Sequence, residues 1–264
     1  MSMNNFIHAD DFGMNDSISK SILDCIQTGS INSVSVMLGG STKYYQDLIK
    51  TGIKIKLHLN LTSNPKIYNS SNKNLLDELT FFKLLYMKKQ FREQILGEIR
   101  LQIKDFSEFF ESERIALDGH HHIQIIPWIY ESFSTFEEFD ISEVRISKEK
   151  IFIDKYSVLL NSRFYRNLTA VLLLKKVCSS IENKYENTPN FYGLLYSGLH
   201  SISTIEKFKT IQHDQLSEIS FHPGLIEDND IINMHPKDFN YYNNDYRKTD
   251  NKLVSSKELR KLFL

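Results

Sequence analysis

Short runs of β-forming residues alternate with amphipathic helical patterns along most of this 264-residue chain. Residues 5–9 and 33–38 are typical of strands, and residues 16–28 between them place apolar side chains on one helical face. This alternation predicts an α/β protein with a mostly parallel sheet, because parallel strands need helical crossover connections. Roughly seven or eight strands are expected, which suits a (β/α) barrel, here an imperfect TIM-like barrel. An open doubly wound sheet is the alternative, since periodicity does not separate the two architectures.

The remaining elements follow from the same periodicities. Strands are predicted over 53–61, 115–117, 143–147, 190–196 and 217–221, and helices over 75–87, 91–110, from 127, over 168–184, 203–212 and 255–263. Residues 62–74 are rich in Ser, Asn and Lys and are expected to form a long loop, while 148–166 fits no regular pattern. With no internal repeat and no linker, residues 1–264 are predicted to form one domain.

Composition excludes several classes of function. Lys and Arg number 32 against 33 Asp and Glu, so no charge excess indicates a nucleic-acid partner. Cys25 and Cys178 belong to no CxxC motif and are expected to be buried thiols. No secretory signal and no apolar run of about 18 residues is visible. We therefore expect a cytoplasmic protein with no membrane partner.

Ionisable residues cluster where predicted strands end. Four segments show this placement: Asp10 and Asp11, His58, Asp118 with His120 and His122, and His222. In a parallel α/β protein the carboxyl ends of the strands meet on one face, where active sites are built. The four segments are therefore expected to meet at one site.

Asp11, His58 and His120 would supply one carboxylate and two imidazoles to that site, a set that suits a divalent metal. Zinc is favoured by the imidazoles, and magnesium is the alternative. A metal held in this way would support amide hydrolysis. Asp10 would then act as general base on the attacking water, and His222 as general acid toward the leaving amine.

Each segment taken alone has a structural explanation. Asp10 and Asp11 could cap the following helix, and His58 could be a core histidine. The run of three histidines from His120 could be a surface turn, and the segment at His222 could be only a turn. The agreement of all four at one face favours the site. No serine elbow and no glycine-rich nucleotide motif is present. The other histidines are expected to be structural or exposed, namely His8, His200, His213 and His235. The late aromatic residues are expected to serve packing, with stacking on a sugar as the alternative; they are Phe239, Tyr241, Tyr242 and Tyr246.

Several of these segments resemble the signatures of the YdjC/ChbG-like carbohydrate deacetylases, a chitooligosaccharide-type family. The matching segments, in family order, are His8-Ala9-Asp10-Asp11-Phe12-Gly13, Leu57-His58-Leu59-Asn60-Leu61-Thr62, Asp118-Gly119-His120-His121-His122 and Phe221-His222-Pro223-Gly224. Arg145 occupies the place of an arginine that members carry in a short strand. Two positions depart from the pattern, since Lys56 stands for a usual glycine and Gly119 for a usual serine.

The resemblance implies a barrel-like fold and removal of an acetyl group from an acetylated amino sugar. It implies that Asp11, His58 and His120 hold a divalent metal, with Asp10 as base, His222 as acid and Arg145 orienting Asp10. Members of the family are often homodimers, which nothing in the sequence tests. The alternatives are hydrolysis of another amide or an O-acetyl ester, and a glycan-binding protein without catalysis.

Overall fold

The computed structural model describes residues 5–61, 80–185, 188–212, 215–226 and 244–263. Within these ranges seven strands form one parallel sheet in the order β5-β4-β3-β2-β1-β7-β6. This confirms the predicted parallel α/β architecture. The strands are β1 (Asn5–Phe12), β2 (Ser33–Val36), β3 (Lys54–Leu59), β4 (Arg114–Gly119), β5 (Asp140–Val144), β6 (Asn190–Tyr192) and β7 (Ser217–Phe221).

The two faces of the sheet differ in chemistry because side chains alternate along each strand. Apolar residues such as Val34, Leu57 and Ile219 are buried on one face, which belongs to the hydrophobic core. The opposite face carries buried polar side chains that share register positions across neighbouring strands, among them the pairs His8 and Ser33, His8 and Ser220, Ser35 and Lys56, and His58 and Asp118. The polar residues of the alternating pattern are therefore buried on the face of the sheet opposite the hydrophobic core.

The sheet curls around this polar face. The ammonium of Lys56 on β3 contacts the carboxylates of both Glu143 on β5 and Glu218 on β7. In a flat sheet β5 and β7 would lie about 24 Å apart, at roughly 4.8 Å per strand spacing. One side chain reaches both only if the sheet is strongly concave. The result is a half-barrel with a polar interior.

Helices surround the half-barrel. Those of the described residues are α1 (Asp16–Gln27), α2 (Tyr45–Lys50), α3 (Thr80–Leu85), α4 (Arg92–Phe110), α5 (Pro127–Ser132), α6 (Ser162–Cys178), α7 (Ile202–Gln212), α8 (Asp245–Val254) and α9 (Lys257–Phe263). The long helix α4 buries Ile95, Ile99, Ile103 and Phe106, a spacing of three to four residues that gives it one apolar face.

Several predicted boundaries were wrong, among them those of the strand expected over 143–147, which runs over Asp140–Val144. The helix expected over 168–184 begins at Ser162, because the Asn161 side chain accepts from the Arg163 N–H and caps it, and it ends at Cys178. The strand expected over 190–196 ends at Tyr192. At the next residue Gly193 has a φ of 152°, and a Cβ there would lie 2.6 Å from the Ser220 carbonyl oxygen. The last predicted helix, 255–263, is preceded by an unpredicted one, α8.

The remaining expectations concern the two cysteines, two irregular segments and membrane-spanning helices. Both cysteines are buried free thiols, as predicted. A 3₁₀ turn (Tyr156–Leu160) lies inside the unassigned segment 148–166. The predicted loop 62–74 lies outside the described residues. Among the described helices, none is long and apolar enough to cross a membrane.

Candidate active site

Two successive aspartates, Asp10 and Asp11, directly precede the last residue of β1, and both reach polar groups of the concave face. In a regular strand their side chains would point to opposite faces. The pairing of β1 with β2 shifts register between Ala9 and Phe12, and Asp11 has a φ of 71°, in the left-handed region. Such an irregularity re-aims a side chain. Asp10 and Asp11 are therefore presented together at the same end of the half-barrel.

Asp11, His58 and His120 converge, as the sequence predicted. The Asp11 Oδ1 atom lies 3.4 Å from His58 Nε2 and 3.1 Å from His120 Nδ1. One ligand atom from each residue lies within 4.8 Å of the other two. Ligand atoms at 2.0–2.1 Å from a tetrahedral zinc ion are about 3.3 Å apart. The donor set and its spacing therefore fit a divalent cation, with one carboxylate and two imidazoles as ligands.

A hydrogen bond to Asp118 orients His58. The Asp118 Oδ1 atom lies 2.5 Å from His58 Nδ1, so that Nε2 is turned toward Asp11. Carboxylates behind metal-binding histidines commonly fix the ring in this way. Burial alone would lower the pKa of His58, but the neighbouring carboxylates, Asp118 foremost, raise it to about 10. A cation at Nε2 would replace a tightly held proton, so its affinity would rise with pH.

Two other groups of described residues have the composition of a metal site. They are His8 with Asp118 and Glu218, and Asp10 with His58 and Asp118. The carboxylates of both groups already face Arg145, which lies 2.6 Å from Asp118, 2.5 Å from Glu218 and 2.8 Å from Asp10. A cation there would meet that guanidinium charge at every carboxylate of the group. The single carboxylate of the third group, Asp11, contacts Arg247 through Oδ2 and keeps Oδ1 facing His58 and His120, so this group is the best candidate.

Asp10 lies beside this group and is held at both oxygens. Arg145 donates to Oδ1 at 2.8 Å and to Oδ2 at 3.2 Å, Ser35 donates to Oδ1 at 3.0 Å and Ser220 to Oδ2 at 2.7 Å. Burial alone would raise the pKa of Asp10, but the Arg145 guanidinium and then His8 hold it well below its usual range. Asp10 is therefore an ionised carboxylate in a fixed orientation.

His222 follows β7 and faces Asp10. Its Nε2 atom lies 3.6 Å from Asp10 Oδ2, and its side chain is 29% exposed. Its backbone N–H donates to the Asp250 carboxylate at 2.9 Å, which fixes the turn after the strand. Burial lowers the pKa of His222, against the opposing effect of Asp10. The imidazole is therefore mainly neutral near pH 7.

A cavity of about 380 Å³ opens above these groups. Its floor includes Asp10, His58, His120 and His222. The remaining wall combines polar residues of α6 and α8 with apolar residues, namely Arg163, Arg166, Asn167, Tyr246, Phe81, Phe82, Leu173, Leu174 and Leu194. Its volume falls in the range of small-molecule sites.

His121 and His122 also line this cavity, and both adopt left-handed backbone conformations, with φ of 55° and 57°. They lie in a 3₁₀ segment (His120–Ile125) that directly follows β4. The His122 Nδ1 atom lies 2.9 Å from the Ser147 hydroxyl, which holds the ring at the wall. The triplet is therefore a turn of unusual backbone geometry that faces the cavity.

Sequence reasoning missed several residues of the site. His8, expected to be structural or exposed, is fully buried, and its Nε2 atom lies 3.0 Å from Asp10, a contact with the site that was not predicted. Lys56 and Glu218 form an ion pair beneath Arg145, and Arg247 of α8 binds Asp11. The alternation of polar residues in β3 and β7 was a usable signal for Lys56 and Glu218. No local pattern indicated Arg247.

Two of the other singled-out residues, His200 and Tyr246, lie within the described ranges. His200 is buried, with Nδ1 2.9 Å from Asp250. Tyr246 lines the cavity instead of only packing the core. The rest fall outside the described residues: His213, His235, Phe239, Tyr241 and Tyr242.

A sequence model of the YdjC-like proteins matches residues 6–264, nearly the whole chain. The chain belongs to the YdjC-like family. Among similar proteins is a carbohydrate deacetylase of Danio rerio, 29% identical over 157 residues, covering 54% of this chain and 49% of that protein. A chitooligosaccharide deacetylase of Escherichia fergusonii is 21% identical over 196 residues, covering 69% of this chain and 77% of that one. The chain thus spans about half the length of the Danio rerio relative.

A solved structure supports the fold. A protein of Enterococcus faecalis V583, whose description refers to cellobiose-phosphate cleavage, superposes with a TM-score of 0.57 at 17% identity. The match covers 97% of this chain and 92% of that one. At this identity the similarity concerns the fold alone.

The two departures from the YdjC-like motifs have structural explanations. A Cβ on Gly119 would lie 2.9 Å from the Ile123 side chain and 3.0 Å from Gln124, so this chain has no room for a serine there without local shifts. Lys56 is fully buried and bound to Glu143 and Glu218. Its charge offsets two buried carboxylates, which would otherwise be costly to desolvate.

Proposed function

We propose that this YdjC-like protein is a metal-dependent hydrolase that removes the acetyl group from an N-acetylated sugar or oligosaccharide. The observation that carries the proposal is the convergence of Asp11, His58 and His120 beside the fixed carboxylate of Asp10, at the floor of an open cavity. Relatives named as carbohydrate and chitooligosaccharide deacetylases support the substrate class. The family match over residues 6–264 supports one YdjC-like domain.

Asp11, His58 and His120 are the proposed metal ligands. A divalent cation there would polarise the acetamide carbonyl and acidify a water molecule. Two imidazole ligands favour zinc, while the single carboxylate leaves magnesium as the alternative. Three protein ligands also leave coordination positions open to the cavity, as catalytic sites require.

Asp10 is the proposed general base and Arg145 its positioning residue. The carboxylate lines the cavity, and the guanidinium and two serine hydroxyls prevent it from rotating away. Asp10 takes one proton from the water, whose oxygen forms a bond to the acetyl carbon. Because the pKa of Asp10 is held low, this proton is held weakly and must be passed on.

His222 is the proposed general acid. Its Nε2 atom lies 3.6 Å from Asp10 Oδ2, so the proton accepted by Asp10 has a short path to the imidazole. As the tetrahedral intermediate collapses, the C–N bond breaks and the nitrogen leaves with a proton from His222. The second proton of the water passes from the nascent acetic acid to the amine, so the products are acetate and the protonated amine, and atoms and charge balance.

The test is acetate release from a panel of N-acetylated sugars by zinc- or magnesium-loaded protein. Asp11→Ala should lose both metal and turnover. Asp10→Asn should retain one equivalent of metal and lose turnover by about 10²- to 10⁴-fold, the usual contribution of a general base. The exposed Asp24 supplies a matched control, since Asp24→Asn should change neither.

The other outcomes are equally informative. Near-normal turnover by Asp10→Asn would refute the assignment of the base. Metal bound at one equivalent without acetate release would exclude the sugar amides tested and direct the search to other amides and O-acetyl esters. Absence of both metal and release would favour a glycan-binding protein.

A further inference from the structure

The C-terminal helix α8 reaches into the site from outside the sheet. Arg247, in its first turn, is fully buried, and its Nη2 atom donates to Asp11 Oδ2 at 2.6 Å. One turn later, Asp250 accepts the backbone N–H of His222 through Oδ2 and contacts His200 Nδ1 through Oδ1, each at 2.9 Å. A single helix thus contacts both a proposed metal ligand and the segment of the proposed acid.

The contact with Arg247 divides the two oxygens of Asp11 between different partners. Oδ1 faces the two histidines at 3.1 Å and 3.4 Å, and Oδ2 faces the guanidinium. A carboxylate so held offers one oxygen to a cation, because rotation to offer both would break a buried charge-assisted hydrogen bond. The guanidinium also offsets the charge of Asp11, which makes the donor set less electron-rich.

The helix is itself firmly anchored. The Asn244 side chain accepts from the Tyr246 N–H, Asn251 lies 3.5 Å from the Cys25 sulfur of α1, and Val254 is fully buried. Arg247 also packs beside Gly224, where an added Cβ would lie 3.6 Å from its Cδ atom. The guanidinium therefore approaches Asp11 from a rigid support, as a precise site requires.

We propose that Arg247 is a positioning residue that restricts Asp11 to one-oxygen ligation, so that α8 is an integral part of the metal site. This inference rests on the proposed function, because it takes Asp11 to be a ligand. It assigns to Arg247 the role toward Asp11 that Arg145 has toward Asp10. Both carboxylates at the end of β1 are then held by buried arginines from different parts of the chain.

The experiment compares Co²⁺-substituted wild type with Arg247→Met, Arg247→Lys and the control Lys248→Met. Lys248 is exposed on the same helix, so the control removes the same charge without touching the site. Visible absorption of Co²⁺ reports coordination number, because four-coordinate Co²⁺ absorbs more strongly than five- or six-coordinate Co²⁺. We expect Arg247→Met to bind one equivalent with weaker bands, and to lose about 10- to 100-fold in kcat with KM little changed.

Arg247→Lys should restore most of the spectrum, and Lys248→Met should match wild type. A Co²⁺ spectrum and kcat of Arg247→Met that equal those of wild type would refute the role of Arg247 and leave the proposed function standing. Wild type that binds no Co²⁺ would overturn both. If Arg247→Met does not fold, Arg247→Gln keeps a neutral stem of similar length and is judged by the same criteria.

Discussion

Glu149 provides a quantitative test of the packing beside the cavity. It is 2% exposed, and its Oε2 atom accepts the backbone N–H groups of Leu194 at 2.9 Å and Leu195 at 3.0 Å. Leu194 lines the cavity, so Glu149 anchors part of its wall. Burial raises the pKa of Glu149 from its ordinary value of 4.5 to about 7, although these N–H groups and His200 act in the opposite direction.

The size and sign of the effect follow from linkage. Below about pH 4.5 the carboxyl is protonated in both the folded and the unfolded protein, and its contribution to stability is fully present. As pH rises toward 7 the unfolded chain ionises first, so the free energy of unfolding falls. Because one pKa unit corresponds to about 1.4 kcal/mol, the rise in pKa removes about 3 kcal/mol by pH 8.

Glu149→Gln should abolish this loss, because the amide oxygen can still accept the two N–H groups but never ionises. Urea denaturation at pH values from about 4.5 to about 8 would measure the free energy of unfolding of both proteins. Across that range the free energy of unfolding of Glu149→Gln should rise by about 3 kcal/mol relative to that of wild type. The exposed Glu182 supplies a control variant, Glu182→Gln. A stability difference between Glu149→Gln and wild type that does not change with pH would refute the reasoning.

Three further predictions concern the site and its support. Asp118→Asn should weaken zinc binding about 10- to 100-fold by calorimetry, because a neutral amide orients His58 less firmly; an unchanged Kd would contradict this. Lys56→Met should lower the free energy of unfolding by about 3–5 kcal/mol in urea denaturation, because two buried glutamates lose the cation that they share. A loss below about 1 kcal/mol would contradict this and would show that water enters the cluster and solvates the two carboxylates. Gly40→Ala should lower Tm by several degrees in calorimetry, because the added Cβ would lie 2.1 Å from the Gly13 carbonyl oxygen. An unaltered Tm would mean that the loop shifts freely to make room for it.

The local pattern of the sequence predicted the parallel sheet and its polar edge. Strand-like runs separated by helical ones leave few topologies other than a parallel sheet. Once the strands are parallel, their carboxyl ends coincide, and so the meeting of Asp11, His58 and His120 followed from the order of elements alone. Their placement along the chain was sufficient, because Asp11 and His58 are the last residues but one of their strands and His120 directly follows β4.

Element boundaries were less predictable, because they depend on single contacts. The strand that ends at Tyr192 was extended too far in the prediction, since its last apolar residues pack instead in the turn after Gly193. The helix α8 was missed because its residues, DYRKTDNKLV, are mostly polar. Arg247 and Asp250 are among its few buried residues, and the burial of these charged side chains is explained only by the partners that they contact elsewhere in the fold.

The sequence by itself thus determined the parallel α/β architecture and the residues that end its strands, because both depend on local periodicity. Only the tertiary structure decided which charges meet on the concave face. Lys56 reaches Glu143 and Glu218 because the sheet curls, and Arg247 reaches Asp11 across 236 residues of chain because α8 packs against the half-barrel. Curvature and helix docking arise from the packing of the whole core, which no local pattern encodes.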